Sequence, residues 1–115
     1  MDNKVSIGTN LTAGGSDLVF TCPPGYSAEW VLFYCINNTA SSKAITCKWY
    51  DASKDEDFYI FQDYPLSAKN FIMFDSGAWV RLNEGDIVTV SAEAGAAAHS
   101  ICSFILERAI DDAAY

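Results

Sequence analysis

Residues 28–50 (AEWVLFYCINNTASSKAITCKWY) constrain the fold of this chain more than any other segment. Within them, residues 30–36 form an unbroken apolar run that is rich in aromatic side chains, which favours a buried β-strand over a helix. Residues 37–42 predict a turn, because Asn and Ser side chains bond their own backbone. Residues 44–50 alternate between apolar and polar positions. We therefore predict that the two strands pair as an antiparallel hairpin.

The predicted strand over residues 30–36 is apolar on both of its faces. A chain of 115 residues builds one hydrophobic core, and that core covers only one face of the strand. The other face needs a second cover, which we predict to be another copy of the chain. The residues predicted to form this interface are Trp30, Leu32, Tyr34 and Ile36.

The rest of the chain carries further short apolar or alternating segments separated by Gly, Pro, Asn and Asp. Their spacing of about 8–12 residues, without a helical period, is typical of an all-β fold. We predict a single antiparallel β-sandwich of about eight strands, jelly-roll-like in arrangement. The predicted strands cover residues 17–22, 30–36, 44–50, 58–63, 70–74, 78–82, 87–92 and 100–106.

The two ends of the chain are polar, and we assign them separately from the sandwich domain at residues 17–108. Residues 1–16 are predicted to be an N-terminal arm or an edge strand, and residues 109–115 a C-terminal tail. In the N-terminal segment, Val5 and Ile7 alternate with polar residues. We predict that this segment adds as a strand to a neighbour's sheet edge, with Val5 and Ile7 at the interface.

Charge excludes two classes of partner. The 7 basic and 15 acidic residues give a formal net charge of -8. Nucleic-acid binding needs a basic stripe, and binding to an anionic membrane needs basic residues too. The start of the chain does not have the pattern of a signal peptide, and no apolar run reaches the roughly 20 residues that span a bilayer. We therefore predict synthesis in a cytosol, without a nucleic-acid or membrane partner.

The four cysteines are predicted to be reduced. Cys22, Cys35, Cys47 and Cys102 contain no C-x-x-C spacing, which argues against a zinc site. Three of them fall inside apolar strand patterns, where a free thiol behaves as a small hydrophobe. The alternative is a pair of disulfides, which is unusual in a cytosol.

No motif predicts catalysis, a cofactor or a metal. His99 is the only histidine, and no nucleophile elbow accompanies it. Residues 51–57 (DASKDED) space their oxygen ligands like a calcium loop, but Glu56 stands where the turn needs Gly, and Gln62 where the bidentate Glu belongs. A solvated acidic loop is the favoured interpretation. Glu29, Glu93 and Glu107 are too scattered to indicate a glycosidase pair.

Aromatic residues leave one alternative function open. Exposed aromatic side chains form sugar-stacking platforms in some jelly rolls. Tyr50 and Tyr59, beside the acidic loop, are the best candidates for such a platform. Core and interface packing explains most of the other aromatic residues, since Trp and Tyr are enriched at interfaces.

Over residues 17–108, the chain resembles small accessory structural proteins of tailed bacteriophage virions. The landmarks of the resemblance are residues 21–25 (TCPPG), 30–38, 45–49, the LNEGD turn at 82–86, and Glu107 near the end of the last strand. The resemblance implies a non-enzymatic virion protein made in the host cytoplasm. It implies most specifically a capsid decoration (cement) protein that stabilises the phage head by bridging capsid subunits. Its partners would then be itself, as a homotrimer, and the major capsid protein or another virion protein.

Two alternatives to the decoration protein stay open at this point. One is a neck, tail or fibre component of the virion. The other is a carbohydrate-binding β-sandwich module, which an exposed aromatic platform on one sheet would favour.

Overall fold

The computed structural model describes residues 3–11, 16–75, 80–93 and 97–108. These residues hold nine β-strands, and none of them lies in a helix, so the described chain has no helix that could cross a membrane. The strands are β1 (Asn3–Leu11), β2 (Ser16–Thr21), β3 (Tyr26–Asn37), β4 (Lys43–Asp51), β5 (Glu56–Leu66), β6 (Phe71–Phe74), β7 (Val80–Leu82), β8 (Ile87–Ala92) and β9 (Ala98–Arg108).

The strands form two antiparallel sheets that pack face to face. Sheet A has the order β1-β9-β3-β6, with β7 pairing the other half of the same β3 edge. Sheet B has the order β2-β8-β4-β5. Among successive strands, only β4 and β5 pair with each other as a hairpin, and most connections cross between the sheets. This is the double-sheet jelly roll, in which the short β6 and β7 share one strand position.

The predicted antiparallel β-sandwich is therefore confirmed. The eight strands expected from residue 17 onward correspond to β2 through β9. The ninth strand is β1, which pairs with β9 along its whole length as an edge strand of sheet A. The division of the chain at residues 16 and 108 stays a prediction.

The core lies between the sheets, where inward-facing residues of the central strands meet. Phe20 of β2 stacks on Phe104 of β9 with ring centroids 4.1 Å apart, which closes the β1–β2 side of the sandwich. Trp30 and Phe104 lie 5.8 Å apart in the same cluster. The largest side chains that are fully buried are Trp30, Phe33, Phe104, Leu11, Ile45, Leu82, Val88 and Val90.

The predicted hairpin between residues 30–36 and 44–50 is wrong. Both edges of β3 are already occupied, by β9 on one side and by β6 and β7 on the other, and β4 lies in the opposite sheet. The buried Asn37 directs this crossing. Its Nδ2 donates to the carbonyls of Ser41 and Leu66 at 2.9 Å each, and its Oδ1 accepts from the backbone of Thr39 at 2.9 Å.

The prediction that Trp30 shares a face with Leu32, Tyr34 and Ile36 is also wrong. A β-bulge shifts the register, so that Trp30 pairs with Phe104 and Leu32 with Ser103. The extra residue breaks the alternation and turns Trp30 inward. Trp30 is fully buried, and its Nε1 donates to the carbonyl of Leu32 at 2.9 Å. Its side chain is therefore not available to a partner.

Val5 and Ile7 face the interior of their own sandwich, which differs from the predicted contact with a neighbour. They lie opposite Phe104 and Cys102 of β9, respectively, and pack against the core. The reason is that β9 offers an eleven-residue strand whose edge β1 pairs along nine residues without a bulge.

The turn motifs at residues 22–25 and 82–86 lie side by side at one end of the sandwich. The Gly85 amide donates to the carbonyl of Cys22 at 2.9 Å, and the Cys22 amide to that of Asp86 at 2.9 Å. Gly85 has a φ of 88°, which disfavours any residue with a side chain, and an added Cβ would lie 3.2 Å from Ala52 Cβ.

Candidate interaction surface

The outer face of sheet A is apolar at one end. Outward-facing residues form rows across the strands, because their register places Gly8, Ile101, Tyr34 and Met73 side by side. The next row brings Ile36 beside Phe71, and the Tyr34 and Phe71 rings lie 5.5 Å apart. Phe71, Met73 and Ile101 are 51%, 48% and 40% exposed. We define the apolar face as Leu32, Tyr34, Ile36, Phe71, Met73 and Ile101.

Among the described residues, these rows carry no Asp, Glu, Lys or Arg side chain, and His99 lies at their end. His99 is exposed, and its Nδ1 lies 3.4 Å from Nδ2 of Asn38. In a chain with a net charge of -8, this surface is therefore one where an acidic partner meets little repulsion.

Charged residues gather at the opposite end of the same face. Arg81 of β7 bonds Glu29 of β3 at 3.1 Å and Glu107 of β9 at 2.8 Å, and it donates to Ser27 Oγ at 2.9 Å. Glu29 and Glu107 thus meet through one guanidinium, which ties three strands together. All three side chains are well exposed, so each ion pair adds little to stability.

A second apolar surface lies at the side of the sandwich, between the edge strands β5 and β6. Tyr64 and Phe74 pair with the inward-facing Ile45 and Phe33, yet they are 42% and 40% exposed. The ring of the buried Phe33 lies 5.6 Å from that of Phe61 and 6.3 Å from that of Phe74. We define the lateral opening as Tyr64 and Phe74.

The outer face of sheet B is mixed in character. Lys48 pairs with Tyr59, and Tyr50 with Asp57, so these four side chains share that face. Tyr59 is 52% exposed. The Tyr50 hydroxyl donates to the Asp55 carboxylate, and this hydrogen bond is the main cause that raises the pKa of Tyr50.

The acidic segment at residues 51–57 folds as the β4–β5 turn. Asp51 is buried, and its Oδ1 accepts from the amide and the hydroxyl of Ser53 at 3.1 and 2.7 Å. Its carboxylate oxygen is thus engaged within the turn. Across the described ranges, no group of three or more potential metal ligands comes together.

The four cysteines are free thiols and buried. Burial is the main cause that raises the pKa of Cys35 to about 11 and that of Cys102 to about 12, and it raises the pKa of Cys47 as well. Since the thiolate is the reactive form, these side chains behave as inert core hydrophobes.

Of the interface residues predicted from sequence, Leu32, Tyr34 and Ile36 lie together on the apolar face. The sequence reasoning missed Phe71, Met73, Ile101 and the lateral opening. A signal was present in the NFIMF segment, which is apolar on both faces like residues 30–36 but lies on an edge strand. The interface role of these residues stays a prediction.

No protein-family profile and no curated protein sequence matches the chain. Solved structures do share its jelly roll. A protein of the disulfide-linked pili of Bacillus endospore appendages matches with a TM-score of 0.57 and 15% identity, over 94% of this chain and 87% of that one. The globular domain of zebrafish complement 1qA matches with a TM-score of 0.54 and 15% identity, over 91% and 96%.

A chain of the T13 particle of infectious bursal disease virus also matches, with a TM-score of 0.55 and 8% identity. The match covers 91% of this chain and 30% of the viral one, so the present chain spans less than a third of that protein. At these identities the similarities show the shared fold alone.

Proposed function

We propose that the chain is a non-enzymatic structural protein of a virus particle, and specifically a decoration (cement) protein on the head of a tailed phage. It acts as a homotrimer that bridges neighbouring subunits of the major capsid protein. The observation that carries this proposal is the apolar face, which a protein acting alone has no reason to expose. The jelly rolls of a viral particle and of a pilus support the same class of role.

The mechanism is mechanical. Apolar area that the protein buries against its neighbours is worth roughly 25 cal/mol per Å², from which the cost of association is subtracted. Pulling two bridged capsid subunits apart then also requires separating both from the decoration protein. The added work raises the pressure and temperature that the head withstands.

The test uses particles of the phage that encodes this chain, prepared with and without its gene. We expect the protein at regular lattice positions of the head in a cryo-electron microscopy map, and genome release at a lower temperature when it is missing. Adding back the purified protein should restore the release temperature. Absence of the protein from purified particles would contradict the proposal. If the protein instead occupies the neck, tail or fibre, it is a component of that part of the virion and not a decoration protein.

One observation favours a second function, carbohydrate binding on the outer face of sheet B. Tyr59 is 52% exposed and lies beside Lys48, which gives a ring for stacking and a polar neighbour for hydroxyl groups. Titration with a glycan library, followed by nuclear magnetic resonance, tests it. We expect binding shifts that Tyr59→Ala abolishes and Phe71→Ala, on the other sheet, preserves. No shift with any glycan would reject this function.

A further inference from the structure

We infer that copies of this chain join head to tail, with the lateral opening of one copy packed on the apolar face of the next. The inference rests on the proposed self-association and adds to it the surfaces that meet. It commits to a second copy of this chain as the occupant of both apolar surfaces.

The two apolar surfaces point in different directions. Phe71 and Met73 project from the outer face of sheet A, whereas Phe74 on the same strand points into the gap between the sheets. Exposed apolar surface therefore wraps around β6 and faces two directions. A face-to-face pair related by a two-fold axis would cover the apolar face and leave the lateral opening in water. A head-to-tail contact covers both surfaces in every copy.

The area of the two apolar surfaces also suits a contact with a second copy. The exposed large side chains of the two surfaces are Tyr64, Phe71, Met73, Phe74 and Ile101, each 40% to 51% exposed. Together with the half-buried residues of the apolar face they offer on the order of 500 Å² of apolar surface. In a head-to-tail contact the two surfaces lie on opposite partners, so their summed area compares with the roughly 1,600 Å² that a stable interface buries on both partners together, including a polar rim. The apolar surface is therefore large enough to form the centre of one such contact.

The distribution of charge also favours a second copy at the apolar face. Two copies that each carry a net charge of -8 repel one another over most of their surface. The rows of the apolar face are free of acidic side chains, so a second acidic copy approaches there at the least cost. On the opposite side of the sandwich, Phe20 and Leu11 are buried, and no described residue there is a large exposed hydrophobe.

A head-to-tail contact uses two different patches, so it closes into a ring or continues as a filament. In a closed ring, every copy contributes its apolar face to one neighbour and its lateral opening to the other. Both apolar surfaces of every copy are then covered.

The test uses two full-length variants that each damage one patch. Ile101→Glu places a charge on the apolar face, and Tyr64→Glu places one at the lateral opening. Both residues are partly exposed in the single copy, so circular dichroism should match the wild type, and thermal melting measures the stability lost where Tyr64→Glu removes the ring contact with Phe61, 5.7 Å between centroids. Tyr59→Glu, on the outer face of sheet B, is the matched control. Masses are measured by sedimentation velocity over a concentration series.

We expect each damaging variant to raise the concentration needed for assembly about 30-fold or more, as loss of a central interface contact does, and the control to assemble like the wild type. An equal mixture of the two variants should form a one-to-one heterodimer and stop there. The intact face of Tyr64→Glu accepts the intact opening of Ile101→Glu, and the remaining two patches are both damaged.

Two outcomes would overturn the contact while leaving self-association in place. If Ile101→Glu is monomeric and Tyr64→Glu assembles normally, the copies pair face to face instead. If both variants assemble like the wild type, neither patch is the interface. A wild-type chain that stays monomeric would overturn self-association itself. The experiment on phage particles with and without the gene tests the decoration role independently of these three sedimentation outcomes.

Discussion

Asp86 shows how a turn residue that looks generic in the sequence acquires a specific structural role. Its carboxylate is fully buried and accepts hydrogen bonds from Trp49 Nε1 at 3.1 Å and from the amides of Ala52 and Asn83 at 2.9 Å each. These donors come from β4, from the β4–β5 turn and from the turn before β8. One side chain thus joins three segments at the end of the sandwich where the turns at residues 22–25 and 82–86 lie side by side.

Replacing this carboxylate should be costly. Asp86→Ala leaves three donors without an acceptor, and we expect the free energy of unfolding to fall by about 3 kcal/mol or more. Asp57→Ala, which removes an exposed carboxylate on β5, should change it by less than about 0.5 kcal/mol. Urea unfolding followed by tryptophan fluorescence measures both. Equal effects of the two substitutions would show that the hydrogen bonds accepted by Asp86 do not stabilise the fold as described.

Replacing each of two buried serines of β9 by alanine should change the stability of the fold in opposite directions. Ser103 Oγ lies 2.8 Å from Ser6 Oγ, whereas Ser100 Oγ is the buried side-chain oxygen that lacks a partner within the described residues. Removing an unsatisfied hydroxyl removes its desolvation penalty, so Ser100→Ala should stabilise the fold by about 1 kcal/mol. Ser103→Ala should destabilise it by a similar amount. A loss of stability in Ser100→Ala would mean that its hydroxyl has a partner.

The buried thiols predict a loss of stability at alkaline pH. Burial raises the pKa of Cys102 from 9.0 to about 12, so the folded state favours the protonated thiol. This contribution is fully present below pH 9 and is lost as the pH rises from 9 toward 12, because only the unfolded state releases the proton easily. The urea midpoint should fall over this range, and more gently in Cys102→Ala. Parallel pH profiles for the two proteins would contradict the account.

At the scale of elements, β1 is an integral strand. It pairs with β9 over nine residues, and Leu11 at its end is fully buried. Deletion of residues 1–15 is expected to expose the edge of β9 and the neighbouring core. The truncated chain should lose the cooperative unfolding transition of the full chain. A truncated chain with an unchanged urea midpoint would show that β1 is dispensable.

Point variants in β1 test the same strand without truncation. Leu11→Ala removes a fully buried side chain and should cost about 2–4 kcal/mol of stability. Its neighbour Asn10 is exposed on the opposite face, so Asn10→Ala is the control and should cost less than about 0.5 kcal/mol. Hydrogen exchange of the β9 amides should speed up only in the first variant. Similar costs for both would contradict the inward placement of Leu11.

Strand positions could be predicted from the sequence, but their partners could not. The alternation at residues 87–92 gave the bounds of β8 correctly, because a half-buried strand leaves a local pattern. The pairing of β3 with β9 leaves none, since it joins residues far apart in the chain. A sequence such as NNTASS is compatible with a hairpin and with a crossing between sheets, and in the folded chain the Asn37 amide stabilises the crossing by donating to the carbonyl of Leu66.

The candidate surface was predictable in part for the same reason. Leu32, Tyr34 and Ile36 were found from an apolar run that one core cannot cover. Trp30 was misplaced because a single-residue bulge reverses the face of every side chain beyond it. Ile101 was missed because its neighbours Tyr34 and Met73 come from other strands, and only the register brings the three together.

For the whole molecule, we propose that an acidic jelly roll with apolar surface on one side functions by assembling with its own copies. Sedimentation equilibrium of the full chain, from micromolar to millimolar concentration, tests this claim most directly. We expect a species with three times the 12.6 kDa mass of one chain, and we expect added salt to strengthen its assembly because screening reduces repulsion between acidic copies. A single species of 12.6 kDa over the entire range would contradict it.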